Sequence, residues 1–155
     1  LKQRLDRIEA QIKGEKRPRV FFQIGEEPII SVGPKTMIHE AIERAGGINA
    51  VGHSAARYPR FSVEGIAAVN PDIILWAPMR GGKETQPPQF FQNKLQTVKA
   101  VQQGKIYAVD ADLICRASPR AIDAIEQMAE LFHPQIRIKH KAKAFDRKPK
   151  TKFTR

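Results

Sequence analysis

Residues 58–76, YPRFSVEGIAAVNPDIILW, contain the pattern that decides the fold class. Ser62 is a candidate N-cap, because its hydroxyl can accept a hydrogen bond from a free amide of the first helical turn. The NPD sequence at 70–72 ends this helix, since proline disfavours helical backbone in the residue before it. Residues 73–76 (IILW) follow as an unbroken apolar run, which is typical of a strand buried on both faces. The stretch predicts a short capped helix, a turn and a central strand.

The loop that follows this strand is the first place where we expect a ligand. Residues 77–82 (APMRGG) end the apolar run abruptly and have the composition of a loop. In open α/β sheets, ligands bind in crevices at the carboxyl ends of the strands.

Two helix patterns and one strand pattern precede the central stretch. Residues 1–13 carry apolar side chains at helical spacing, and residues 19–24 (RVFFQI) form an apolar block typical of a strand. Residues 33–36 (GPKT) open a second helix, which ends at the two glycines at 46–47. The predicted buried face of the second helix consists of Met37, Ile38, Ala41, Ile42 and Ala45.

The second half of the chain continues the alternation of helix and strand. Residues 90–103 are partly helical with a break, residues 104–110 form a further strand, and Ser118-Pro119 starts a helix that ends at His133-Pro134. Strands that alternate with helices predict an α/β fold with a three-layer, doubly wound, mainly parallel sheet. We expect four aromatic side chains in its core: Phe21, Phe22, Tyr107 and Phe132.

The net charge of +11 is concentrated at the two ends of the 155-residue chain. Residues 1–19 hold seven basic and three acidic side chains, and residues 137–155 hold nine and one, whereas the 117 residues between them have a net charge of −1. The basic ends can attract phosphates or anionic lipid, but a solvated tail is the simpler interpretation. No run approaches the roughly 18 apolar residues that a membrane-spanning helix needs. The chain starts inside a helical pattern, so we expect it to be a piece of a longer protein.

The residues that carry enzyme chemistry do not form a recognisable pattern. There is no G-x-S-x-G elbow, no P-loop and no G-x-G-x-x-G after a strand. A single cysteine, Cys115, excludes an internal disulfide and a multi-cysteine metal site. The histidines at 39, 53, 133 and 140 lack metal-ligand spacing. We therefore expect no enzyme, no bound metal and no cofactor.

Five segments in this order resemble one protein family over roughly residues 18–134. They are PRVFFQIG, MIHEAIERAGGIN, YPRFSVEGIAAVNPDIIL, GKIYAVDADL and RASPRAIDAIEQMAELFHP. Together they resemble the carboxyl-terminal lobe of the cobalamin and iron-siderophore class (class III) of ABC-transporter periplasmic substrate-binding proteins.

The resemblance implies one half of a two-lobed receptor. Two α/β lobes would be joined by a long helix and would hold an iron chelate or a corrinoid in the cleft between them, so that the amino-terminal lobe is missing here. Residues 1–17 would be the end of the connecting helix with its linker, residues 18–135 the ligand-binding lobe, and residues 136–155 a basic, disordered tail. The full-length protein would be periplasmic or anchored outside the cytoplasmic membrane.

The resemblance assigns two kinds of site residue. Glu64 matches the glutamate that docks onto arginines of the ABC permease, although a glutamate there would also complement the helix dipole. Tyr58 matches an aromatic residue that contacts ligand in cobalamin-binding relatives. Met37 and Leu113 stand where those relatives have further aromatic rings, and apolar contact is still available from both.

Three arginines are either surface charges or contacts for an anionic chelate. Arg60, Arg80 and Arg116 offer planar guanidinium groups that suit carboxylate, hydroxamate or catecholate oxygens. Trp76, at the end of the central strand, is either a platform for the ligand or a core residue.

Two alternatives stay open from the sequence. The first is a cobalamin- or haem-specific receptor lobe, in which a loop histidine such as His53 would ligate haem iron. The second is a nucleic-acid or anionic-surface binding module that acts through the basic tail, where Phe145 and Phe153 permit stacking.

Overall fold

The computed structural model describes residues 2–25, 28–77, 89–109 and 119–136. Its strands are β1 (Arg19–Ile24), β2 (Ile29–Ile30), β3 (Ile48–Asn49), β4 (Arg60–Phe61), β5 (Ile73–Ala77) and β6 (Ile106–Ala108). Its helices are α1 (Lys2–Ile12), α2 (Met37–Arg44), α3 (Val63–Val69), α4 (Phe90–Lys94), α5 (Lys99–Gln102) and α6 (Pro119–Phe132).

Strand β1 is the centre of the six-stranded sheet formed by the described residues. The sheet order is β4-β2-β1-β5-β6, and β3 pairs with β1 as well. Strand β1 runs parallel to β5 over five residue pairs, from Val20 with Ile73 to Ile24 with Ala77. It also pairs in parallel with β3 near its amino end and antiparallel with β2 at its carboxyl end. The predicted α/β fold with a mainly parallel sheet is confirmed.

Helices cover both faces of the sheet, because the side chains of β1 and β5 alternate between two core clusters. On the first face, the strands contribute Val20, Phe22, Ile73, Leu75 and Ala77, and helices α1, α2 and α6 pack over them. On the second face, they contribute Phe21, Ile74 and Trp76, and helices α3, α4 and α5 pack over them. This arrangement is the predicted three-layer, doubly wound architecture, and Phe21, Phe22, Tyr107 and Phe132 are buried as expected.

Helix α1 is joined to the lobe by apolar packing and by an ionic cluster. Ile8 is buried in the first-face cluster. The guanidinium of Arg4 donates to Glu126 Oε1 at 2.8 Å through Nε, and through Nη2 to Glu126 Oε2 at 2.7 Å and to Asp123 Oδ1 at 2.5 Å. The hydrogen bonds to Glu126 raise the pKa of Arg4 above its usual value. Helix α1 is therefore bound to α6 at a defined rotation.

Local sequence signals determine where the helices begin and end. Ser62 caps α3, with its Oγ accepting from Gly65 N at 3.0 Å, and Asn70 ends α3 in the left-handed conformation (φ 46°). Thr36 caps α2 in the same way through His39 N. The break expected within residues 90–103 lies between α4 and α5.

Three expectations about local structure were wrong or incomplete. The sequence places Met37 on the buried face of α2, but its side chain is 44% exposed, because it occupies the first position of the helix and is not part of the first-face cluster that contains Ile38 and Ile42. Strands β3 and β4 lie in segments for which the sequence analysis predicts no strand. Of the predicted strand over 104–110, the described part pairs with β5 as β6 and through Val109 N, which donates to Trp76 O, while residue 110 lies outside the described residues. None of the described helices has both the length and the apolar composition needed to cross a membrane.

Burial of Tyr107 makes the stability of the lobe sensitive to alkaline pH. Its side chain lies in the first-face cluster, and desolvation raises the pKa of its phenol. A folded-state pKa above the unfolded value of about 10 means that the stabilisation is fully present below pH ~10 and is lost as the pH rises further. We expect the free energy of unfolding to decrease more steeply above pH ~10 in the wild type than in Tyr107→Phe, as measured by urea denaturation.

Tyr58→Phe is the matched control, because Tyr58 is 56% exposed. This variant should keep the wild-type slope, and equal slopes for the wild type and Tyr107→Phe would contradict the role given to Tyr107.

Candidate functional site

Helix α2 presents its amino-terminal end at the carboxyl side of the sheet. Directly after α2, Ile48 N donates to Pro18 O at 2.8 Å, which places the end of α2 beside the amino end of β1. The helix has eight residues and is therefore about 12 Å long. Its first residue, Met37, consequently points toward the side of the sheet where ligands bind in α/β folds.

Two of the predicted ligand contacts are among the exposed large apolar side chains. Among the described residues, this group consists of Met37 (44% exposed), Ile48 (42%) and Tyr58 (56%). Ile48 lies in β3 and pairs with Arg19 at the amino end of β1. Met37 and Tyr58 are thus candidates for apolar contact with a ligand, and Ile48 is an exposed apolar residue at the other end of the sheet.

Backbone hydrogen bonds attach the Tyr58 segment to the segment that leads into α2. Ser31 N donates to Pro59 O at 3.0 Å, and Gly33 N donates to Arg57 O at 2.7 Å. Tyr58 lies between these two acceptors, so its backbone position is fixed on both sides. The structure therefore places the segment around Tyr58 next to the residues that lead into α2.

Gly33 is essential for this close approach. A Cβ atom at Gly33 would lie 2.1 Å from the carbonyl oxygen of Ala56, so only glycine fits without a backbone shift. The side chain of Arg57 adds a third link, donating from Nη2 to Lys35 O at 2.9 Å. Lys35 itself has a left-handed backbone (φ 62°), which is uncommon for a residue other than glycine.

Asn49 is the polar centre that holds three segments around this surface. Its Oδ1 accepts from Val51 N at 3.0 Å, and its Nδ2 donates to Val32 O at 2.9 Å. These two backbone partners fix the amide orientation, and Nδ2 also lies 2.9 Å from His39 Nδ1, within hydrogen-bond distance. Asn49 N donates to Glu43 Oε1 at 3.1 Å. One buried residue thereby connects the segment after β2, helix α2 and the loop that leads to Tyr58.

Sequence reasoning missed Gly33, Arg57 and Asn49. The Gly-Pro pair at 33–34 signals a turn, but it does not reveal that the backbone of Ala56 approaches Gly33. Asn49 follows two glycines and an isoleucine and carries no motif of its own.

Three basic side chains are exposed in the segments that carry Met37 and Tyr58. Lys35, Arg57 and Arg60 are exposed, and none of the three forms an ion pair with an acidic side chain in the described parts of the chain. Adjacent side chains of a strand point to opposite faces of the sheet. Because Phe61 packs against the second-face cluster, the side chain of Arg60 lies on the first face. An open depression of about 440 Å³ lies beside Met37, and its lining includes Lys35 and the acidic Glu40 and Glu43.

A second and larger groove, of about 620 Å³, lies between α1 and the carboxyl-terminal half of α2. Its lining is mainly charged and includes neither Met37 nor Tyr58.

Glu64 lies apart from this surface, on the second face of the sheet. It is exposed in the first turn of α3, which packs through Ile66 into the second-face cluster. Among the described residues, its carboxylate has no cationic partner. An exposed carboxylate on the first turn of a capped helix is well suited to meet a cation on another molecule.

The remaining predicted site residues have different outcomes. Trp76 is 2% exposed and packs edge-to-face against Phe91 with ring centroids 6.0 Å apart, so its burial favours the core alternative over the ligand platform. Arg80, Leu113 and Arg116 lie outside the described residues, as do Cys115, His140 and residues 137–155 of the basic tail.

The histidines that are described show no metal site. His53 is exposed, and His133 is buried with Nε2 3.1 Å from Gly46 O. Within the described ranges, no three His, Cys, Asp or Glu side chains are grouped so that they could hold a metal ion.

The fold defines the class of protein, which is an α/β lobe with helices on both faces of a mainly parallel sheet. The model of the family "Periplasmic binding protein" matches residues 1–113. The chain therefore belongs to the periplasmic binding protein family.

The relatives with known names are binding proteins. The chain is 29% identical over 127 residues to a vitamin B12-binding protein of Vibrio cholerae, covering 82% of this chain and 45% of the relative. It is 28% identical over 121 residues to a cobalamin-binding protein of Halobacterium salinarum, covering 76% of this chain and 32% of the relative. The chain thus spans about a third to a half of the length of these curated relatives.

Solved structures agree with this assignment. The periplasmic vitamin B12 binding protein BtuF of Vibrio cholerae matches with a TM-score of 0.68 and 26% identity, covering 84% of this chain and 50% of that one. A periplasmic heme binding protein of Pseudomonas aeruginosa matches with a TM-score of 0.76 and 24% identity, covering 88% and 51%. The second likeness shows the shared fold.

Replacing Asn49 should destabilise the lobe more than an equivalent change elsewhere. Asn49→Ala leaves the buried groups Val32 O and Val51 N without the side chain that satisfies them, and each such group costs about 1–3 kcal/mol. We expect a loss of about 2–4 kcal/mol in the free energy of unfolding, measured by urea denaturation.

Asn93→Ala is the control, because Asn93 is an exposed residue of α4 whose side chain has no hydrogen-bond partner among the described residues. It should leave stability nearly unchanged. A loss below 1 kcal/mol for Asn49→Ala would show that the network does not hold the three segments together.

Proposed function

We propose that this chain is the substrate-binding lobe of an ABC importer and that it captures a metal chelate or a corrinoid. The match of residues 1–113 to the periplasmic binding protein family is the observation that carries this proposal. A binding protein of this kind carries out no chemistry, and its work is to bind a ligand and deliver it to a membrane permease. Its place of action would be outside the cytoplasmic membrane.

The chemistry of the exposed surface supports a ligand that is partly apolar and partly anionic. Met37 and Tyr58 supply apolar and aromatic contact, and Lys35, Arg57 and Arg60 supply positive charge beside them. Arginine binds carboxylate, hydroxamate or catecholate oxygens through a planar fork. A negatively charged iron chelate suits this combination, and a corrinoid is supported by the names of the curated relatives.

A single lobe offers only one wall of the proposed site. The second wall would come from a partner lobe attached through α1, and closure of the two lobes would exclude water from the ligand. Because the Arg4 cluster fixes α1 to α6, the connecting helix would move with this lobe rather than bend at it.

The first experiment is a titration of the ¹⁵N-labelled chain followed by two-dimensional NMR. The probes are cyanocobalamin and the gallium forms of a porphyrin, a hydroxamate chelate and a catecholate chelate, since gallium avoids paramagnetic broadening. We expect saturable shifts for one class, centred on the amides near Met37 and Tyr58. The Kd should be about 0.1 mM or weaker, because half of the contacts are missing.

Paired variants distinguish binding at the proposed surface from nonspecific hydrophobic binding. Tyr58→Ala and Met37→Ala should each weaken binding about three- to tenfold, whereas Ile48→Ala, the same kind of change at an equally exposed apolar residue, should have no effect. Equal weakening by all three changes, or shifts centred on Ile48, would place the binding surface elsewhere.

We further propose that Glu64 contacts a cationic site on the permease. Its exposure and lack of a cationic partner among the described residues support this role, as does its position on the face opposite α2. A ligand at the Met37–Tyr58 surface and a permease at α3 would then occupy different sides of the lobe.

The docking proposal predicts a loss of affinity that depends on one carboxylate. In a pull-down with the permease in nanodiscs, Glu64→Ala should weaken binding about tenfold, with a smaller difference at high salt. Glu9→Ala removes an exposed glutamate of α1 and should leave binding unchanged. Equal binding of the wild type and Glu64→Ala would exclude Glu64 as a contact.

A further inference from the structure

Two buried polar atoms near the carboxyl end of the central strands have no hydrogen-bond partner in the part of the chain that the structure describes. They are Gln23 Oε1 and Trp76 Nε1, and neither has a partner within the described residues. Gln23 is 0% exposed and Trp76 is 2% exposed. Folded proteins satisfy nearly all buried polar groups with protein atoms or ordered water, so two unpaired atoms in one region indicate a missing partner.

The two residues are direct neighbours in the sheet. Gln23 and Trp76 are register partners in the parallel pair of β1 and β5, one residue before the last pair. Phe21 and Ile74, two residues earlier, both belong to the second-face cluster, so Gln23 and Trp76 extend to this same face. Neighbouring strands lie about 4.8 Å apart, which places the two side chains next to each other.

Their hydrogen-bonding capacities are complementary. The indole Nε1–H of Trp76 is only a donor. Gln23 Nε2 donates to Gly25 O at 3.1 Å, and exchanging the amide nitrogen and oxygen would place two acceptors face to face. The free oxygen is therefore an acceptor with a fixed direction, and the two atoms together require a group that both accepts and donates.

We propose that an internal water molecule binds between Gln23 Oε1 and Trp76 Nε1, inside the second-face core near the carboxyl end of the sheet. A water molecule can accept a hydrogen bond from Trp76 Nε1 and donate one to Gln23 Oε1. It is also small enough to fit beside two side chains that are almost fully buried. Buried waters in globular proteins commonly satisfy such groups, with about three hydrogen bonds each. The inference does not depend on the proposed transport function.

The neighbouring aromatic ring does not remove the need for this water. Trp76 and Phe91 are edge-to-face, with an angle of 81° between the rings, so the indole N–H has a π-system nearby. A contact of this kind would serve the donor of Trp76 and would leave Gln23 Oε1 unsatisfied. A water molecule accounts for both atoms.

The proposed water site determines how the tryptophan fluorescence of this chain is interpreted. Trp76 is the only tryptophan, so its emission reports the polarity of this internal site. A change in emission during a ligand titration would then indicate a disturbance of the second-face core, not direct contact of a ligand with the indole.

A crystal structure of the chain at about 1.5 Å or better tests the site directly. We expect a well-ordered water within hydrogen-bond distance of both atoms. An empty site, a direct Nε1–Oε1 hydrogen bond or a side chain bound in its place would overturn the proposal.

Ultraviolet resonance Raman spectroscopy provides a second readout that works in solution. The indole band sensitive to N–H hydrogen bonding should show a bonded indole in the wild type and shift toward the free position in Gln23→Met, which keeps the side-chain length but lacks the amide acceptor. Gln102→Met, at an exposed position of α5, is the control and should leave the band unchanged. A band in the free position in the wild type would overturn the proposal even if Gln23→Met fails to fold.

Discussion

The pairing of β1 with three other strands is the constraint on which the rest of the lobe depends. Val20, Phe21 and Phe22 are completely buried, and they supply both core clusters from a single strand. Burying a phenylalanine or valine side chain contributes about 1.5–3 kcal/mol, so this short segment provides a large share of the driving force on each face. Strands β3 and β2 pair with the two ends of β1 on the same edge, and β5 pairs along its other edge. Every helix then packs on a surface whose position β1 has set.

The candidate ligand surface depends on a different physical principle. Residues 50–59 contain little regular structure, so their positions cannot come from ladder hydrogen bonds alone. They come from the amide of Asn49, the glycine contact at Gly33 and the guanidinium of Arg57. Such an arrangement is common in binding proteins, where exposed loops carry the contact residues and a rigid scaffold fixes them. Replacing a side chain that holds such a loop therefore changes the shape of the surface, even though that side chain does not contact a ligand.

The two faces of the sheet separate two proposed interactions. Helix α2, which carries Met37, belongs to the first face, and helix α3, which carries Glu64, belongs to the second. Both helices have a side-chain N-cap at the residue before the helix, Thr36 and Ser62, so the first turn of each is well defined. The ligand and the permease would therefore meet firmly oriented helix starts on opposite sides of one sheet. The hydrogen bonds of Arg4 to Glu126 and Asp123 also fix the orientation of α1 relative to α6, which packs on the first face of the sheet.

The sequence alone determined the elements whose signals are local. The alternation of strands and helices predicted the doubly wound sheet, the run at 73–76 predicted β5, and Ser62 predicted the start of α3, because apolar runs and capping side chains act within a few residues. Only the tertiary structure decided what depends on distant contacts. Exposure of Met37, burial of Trp76, the closeness of Gly33 to Ala56 and the network of Asn49 all depend on which segments become neighbours in space. Long-range pairing is set by the whole sheet, and no short stretch of sequence contains that information.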